Sequence, residues 1–134
     1  MTDIIDEQVC FFNSNNIDSF YEKVSQIVSY LEPSLETDEI GEIINTRDKL
    51  GDGLVNTNSL IIHVISKKVV NNTAVYCYLR SSILWQSKIT NLSANIRRVV
   101  ILIVNPNLKN GRLLNLENFI NNKELNDMKR LVMG

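Results

Sequence analysis

Two stretches of this chain are apolar on both of their alternating faces: residues 59–65, SLIIHVI, and residues 98–104, RVVILIV. A half-exposed strand alternates apolar with polar side chains, so a run rich in Ile and Val on both sides needs a cover on both sides. Helical periodicity elsewhere supplies the cover. Ile17, Phe20, Tyr21, Val24, Ile27, Val28 and Leu31 recur at the spacing of one helix face, the strongest periodic signal in the sequence. Asn16 is placed to cap that helix, Asp18 suits its first turn, and Pro33 stops it.

The remaining elements are read in the same way. Val9 to Phe12, bounded by Asn13-Ser14-Asn15-Asn16, reads as a short strand. Thr37 is the N-cap expected for a second helix, with Ile40, Ile43, Ile44 and Leu50 on one face and Gly51-Asp52-Gly53 as its end. Residues 73–80, TAVYCYLR, read as a strand with Tyr76 and Tyr78 on one side and Val75, Cys77 and Leu79 on the other. The tail reads as helix, with one stripe through Leu113, Leu116 and Ile120 and a second through Leu125, Met128, Leu131 and Val132. Lys129 and Arg130 then suit a helix C-terminus. The order is strand, two helices, three strands, helices. It predicts an α/β fold in which a mixed β-sheet of about four to five strands is sandwiched between helices. Residues 1–134 fit a single domain.

Charge and composition exclude several functions. The 14 Lys and Arg against 15 Asp and Glu give a net charge of −1, so binding nucleic acid by neutralising phosphates is not expected. Cys10 and Cys77 sit in apolar runs with no CxxC pair, which fits small hydrophobes in a reducing cytosol. The acidic start MTDIIDEQ is unlike a secretory signal, and no apolar run approaches the ~20 residues that span a membrane. A cytoplasmic protein without membrane insertion is therefore expected. No GxGxxG or GxxxxGK[ST] motif occurs, and one histidine excludes zinc sites built on two or three.

That histidine, His63, lies near the end of an otherwise apolar strand. Two readings stand beside each other: a core histidine with one hydrogen-bond partner, or a nucleophile, because neutral imidazole is a nitrogen nucleophile near neutral pH. Arg47 occupies the apolar stripe of the second helix, three positions after Ile44 and three before Leu50. Either its stem packs while its head reaches water, or it points into a site and binds an anion. Together the two residues suit phosphoryl transfer to nitrogen, which depends on positioning and on stabilising charge on the phosphoryl oxygens.

Residues 44–64, INTRDKLGDGLVNTNSLIIHV, resemble the active-site segment of enzyme IIA domains of the mannitol/fructose class, from the bacterial phosphoenolpyruvate:sugar phosphotransferase system. In that family an Arg-acidic pair ends a helix, a loop follows, and a strand delivers the phosphorylated histidine. Arg47 and His63 stand sixteen positions apart, as in the family, Asp48 matches the acidic residue, and Val55 and Ile61 match hydrophobic positions of loop and strand. Downstream, Ile83-Leu84-Trp85 and Val99 to Val104 resemble a further family stretch. The chain departs from the pattern at Ile62, Val64, Asn56 and Leu60, where the family has Pro, a small residue, Gly and a small residue. The family's second histidine is missing, and Lys109 or Arg112 falls in its region.

The resemblance implies a phosphoryl carrier that works without metal or organic cofactor. His63 would accept phosphate from a histidine phosphocarrier protein and pass it to a cysteine on an enzyme IIB, with Arg47 orienting the phosphate and neutralising its charge. The departures around His63 leave an alternative, a degenerate regulatory domain of a phosphotransferase-linked transcription regulator that binds partners with little or no transfer. A third, an unrelated α/β domain in which His63 and Arg47 are structural, requires the two side chains to lie apart. Lys67-Lys68 and Arg97-Arg98 are expected to be solvated strand ends, and Trp85 to be packing.

Overall fold

A computed structural model describes residues 5–51, 53–108, 111, 113–125 and 129–131. The elements run β1 (Asp6–Phe12), α1 (Ile17–Leu31), α2 (Thr37–Asp48), β2 (Ser59–Ile65), β3 (Thr73–Gln86), β4 (Ser93–Val104), α3 (Leu116–Ile120) and β5 (Lys129–Leu131). The strands form one mixed sheet in the order β2-β4-β3-β1-β5. β1 pairs in parallel with β3 and β5, β2 in parallel with β4, and β3 with β4 antiparallel. The expected α/β sandwich with a five-stranded mixed sheet is what forms.

Side-chain alternation divides the core into two layers. Leu60, Ile62 and Val64 of β2, with Val75, Cys77 and Leu79 of β3 and Val99, Ile101 and Ile103 of β4, meet Phe20, Val24, Ile27, Val28, Ile40 and Ile44 of α1 and α2. On the other side Ala74, Tyr76 and Val100 pack with Phe119 of α3 and with Ile5. Asn16 caps α1 as expected, its Oδ1 accepting from the Ser19 amide at 2.8 Å. Glu7 ties β1 to the start of α3: its carboxylate accepts from the amides of Leu114 and Asn115, each at 3.0 Å, and from the hydroxyl of Tyr76.

Four local expectations are corrected. Glu36, not Thr37, stands at the N-cap of α2, with no side-chain bond to the helix. α2 ends at Asp48, before the glycines, so Leu50 leaves the helix stripe and is 77% exposed. β3 and β4 run on past the predicted strands into a hairpin arm, paired again from Ile83↔Ile96 to Gln86↔Ser93 after an irregularity beyond Tyr78. Lys129, Arg130 and Leu131 are strand, not the end of a helix, because parallel pairing with β1 claims their backbone. Met128 and Val132 lie outside the described residues.

The loop after α2 positions the site. It turns back along the open edge of β2, where Leu54 bridges Leu60. The Ile61 amide donates to the Gly53 carbonyl at 2.7 Å, and the Val55 amide to that of Ser59 at 3.0 Å. Gly53 is required by close approach, since a Cβ there would sit 2.0 Å from the Ile61 carbonyl oxygen. Gly53→Ala should therefore push the loop off the edge of β2 and destabilise the protein by about 1–3 kcal/mol, the usual cost of overpacking. Urea unfolding checks this, and an unchanged midpoint would contradict the close approach.

Candidate functional site

His63 leaves the core layer built by its neighbours Ile62 and Val64, because strand alternation turns it to the other side with Ile61 and Ile65. In an interior strand it would then be enclosed. β2 is an edge strand, however, and α2 packs beside it, so His63 is half-buried at the rim of the sheet. There it shares a cavity of about 460 Å³ with Arg47 of the last turn of α2. Ile43, Leu50 and Ile65 give the cavity apolar walls, Glu39 continues the α2 row of Ile43 and Arg47, and Glu42 and Thr46 line it from the row beside. The arrangement in which His63 and Arg47 lie on separate faces is not what is found.

Among the described residues no hydrogen bond or ion pair engages the His63 ring or the Arg47 guanidinium. The reading of His63 as a core histidine with one partner thus finds no partner there. Glu39 is held by Lys68, Nζ to Oε1 3.0 Å, across the mouth of the same region. The Gly51 backbone lies alongside Arg47: a Cβ at Gly51 would stand 3.5 Å from Nη1, in ordinary contact. Burial lowers the His63 pKa below its ordinary value, and the positive charge of Arg47 lowers it further. At neutral pH the ring is consequently uncharged, with a lone pair beside a fixed cation. Such a pair can attack an electrophilic centre while the guanidinium holds its anionic oxygens.

Asp48 does not face the cavity. Its Oδ2 accepts from the Tyr21 hydroxyl at 3.3 Å and lies 3.9 Å from Lys88 Nζ, which joins the end of α2 to α1 and to the hairpin arm. Burial and the Asp48 charge push the Tyr21 hydroxyl pKa up, so Tyr21 remains a donor. The acidic residue next to Arg47 thus fixes the helix end that carries Arg47. Asn56 has a comparable anchoring role: its Nδ2 donates to the Ile120 carbonyl at 3.2 Å and its Oδ1 accepts from the Asn58 amide at 2.9 Å.

Arg97 and Arg98 lie within β4, not at its end, and do not line the cavity. Arg98 sits over the rings of Tyr78, at 4.9 Å, and Phe119, at 5.4 Å. Trp85 is buried packing. Lys109 and Arg112 lie outside the described residues. Sequence reading missed Glu39, Glu42 and Thr46 as cavity-lining residues. Their signal was present, because Glu39 stands four before Ile43, Thr46 three after it, and Glu42 three after Glu39 and four before Thr46.

No protein-family model matches the chain, and no curated protein matches it in sequence. The likeness found is structural. A solved structure, nitrogen regulatory protein IIA-Ntr from Neisseria meningitidis, superposes with a TM-score of 0.60 at 18% sequence identity, over 75% of this chain and 66% of that one. The chain therefore shares the fold of that protein and spans just under two thirds of its length. No helix among the described residues is long and apolar enough to cross a membrane.

Because the His63 pKa is lowered on folding, the unfolded chain binds this proton more readily. Stability linked to His63 is then full above its unfolded value of roughly 6.5 and declines as pH falls through the lower folded value. His63→Gln should flatten that part of the stability–pH curve. In the wild type the single imidazole resonance should titrate below 6.5. Arg47→Met should raise that value only partway, since burial is the larger cause; an unmoved titration would show that the Arg47 charge does not reach the ring.

Proposed function

We propose that this chain, residues 1–134, is an enzyme IIA-like phosphoryl-carrier domain of the mannitol/fructose class, cytoplasmic, with His63 as phosphoryl acceptor and Arg47 as the phosphate-orienting residue. The observation that carries the reading is one cavity holding a neutral histidine and an arginine free of carboxylate partners among the described residues. The enzyme IIA-type fold and the sixteen-residue spacing support it. The lone pair of the neutral ring attacks the phosphorus of a phosphohistidine on a histidine phosphocarrier protein. A nitrogen–phosphorus bond forms on His63 as the donor's own bond breaks, and the donor imidazole leaves with the electron pair. A cysteine thiolate of an enzyme IIB then takes the phosphoryl group and restores the ring. No metal or organic cofactor enters these steps.

Arg47 serves both halves. Its charge disfavours imidazolium before transfer and stabilises the phosphoryl oxygens during it. A second reading, a regulatory domain linked to a transcription regulator, is favoured by the neighbour's own designation as a nitrogen regulatory protein. There His63 would carry phosphate as a signal or not at all, and partner binding would be the output.

The test is phosphate transfer in a defined mixture of phosphoenolpyruvate, enzyme I, phosphocarrier protein and this chain. Acid-labile label is expected on the wild type and none on His63→Ala. Arg47→Ala should slow labelling by about 10²–10³-fold, the range for losing one charge-stabilising donor. Absence of label, with carriers that are matched to the source and phosphorylate a control acceptor, would leave the regulatory reading in its place.

A further inference from the structure

A second cavity, of about 230 Å³, opens at the carboxyl end of β1, away from His63. Pockets in α/β sheets favour that end of the strands. Two cations line it, Lys23 from the middle of α1 and Arg80 from the irregular stretch of β3 just beyond the last β1 pairing, Phe12↔Leu79. Neither cation has a carboxylate partner among the described residues, and no acidic side chain lines the cavity. Asn13 and Gln26 add amide donors and acceptors.

Phe11 makes a rigid wall. Its ring stacks on Tyr78 at 4.9 Å and 14°, and the Arg130 guanidinium covers its other face at 4.6 Å. With both faces taken, the ring edge is what remains for a ligand. The neighbourhood extends the positive charge: four of the six arginines, Arg80, Arg97, Arg98 and Arg130, gather at this end of the sheet in a chain of net charge −1. Unpaired cations converging on a small cavity raise the local concentration of anions.

We propose that this cavity binds a small organic anion, with Lys23 and Arg80 on its carboxylate or phosphate group, Asn13 and Gln26 on a neutral polar group, and the Phe11 edge against its apolar body. The volume lies below the range of drug-sized sites, so the ligand is a fragment-sized metabolite. The site is independent of phosphoryl transfer at His63.

Amide-resolved NMR titration of the ¹⁵N-labelled chain with phenyl phosphate, benzoate and the neutral analogue benzamide tests this. Saturable shifts of the Asn13 and Gln26 side-chain amides are expected with at least one anion and not with benzamide. The difference between the two anions assigns phosphate or carboxylate. Arg80→Gln and Lys23→Gln should each weaken binding about tenfold, and together abolish it, while thermal unfolding stays unchanged; about tenfold corresponds to 1.4 kcal/mol. Arg80 is exposed, so its variant remains folded and informative if Lys23→Gln does not. Shifts that fail to saturate, that benzamide reproduces, that survive the double substitution, or that move the His63 ring instead would overturn the proposal.

Discussion

β2 is an edge strand with the composition of an interior one, and the site follows from how that conflict is resolved. A long apolar edge invites pairing with another chain. Here the returning loop covers the first half through Gly53 and Val55, and Asn56 pins that loop to the end of α3. The second half is flanked by α2. His63 stands at the point where cover changes from loop to helix, which is why a residue inside an apolar strand reaches a cavity. The same constraint orders the rest of the sheet. With β2 outside, β4 becomes interior and takes Ile and Val on both faces, as 98–104 does.

The electrostatics of the cavity rest on one charge acting on two species. Arg47 repels a proton from His63 and attracts negative oxygens to the same place. The histidine is therefore uncharged where an anion is welcome. Asp48, the neighbour of Arg47, instead meets Tyr21 and Lys88, so the acidic residue anchors the helix end that carries Arg47. Lys68 neutralises Glu39 at the rim, which limits opposing negative charge near the ring.

The legible parts of the fold were those decided locally. Ser59–Ile65 ended where the sequence reading placed it, since Ile and Val on both faces leave few alternatives, and α1 followed its cap, stripe and proline. The parts that were not legible depend on distant partners. Leu125, Met128, Leu131 and Val132 have helical spacing, yet Leu131 pairs with Cys10, and a neighbouring strand outweighs a short periodic pattern. The hairpin arm was hidden because Arg80-Ser81-Ser82 interrupts the alternation before Ile83 and Trp85 resume it. At the site, helix phase exposed Arg47 as anomalous and strand composition exposed His63. That they meet depends on β2 being the edge, which no residue of β2 announces.

Cys10 and Cys77 stand opposite each other in the register of β1 and β3, and both are fully buried in the layer beneath α1. Burial pushes the Cys77 thiol pKa up, which suppresses the reactive thiolate. No reagent reaches either sulfur while β1 remains seated between β3 and β5. The chain thus carries a built-in clock for its own opening: the rate at which these thiols become modifiable measures how often the sheet parts at β1, without any added label.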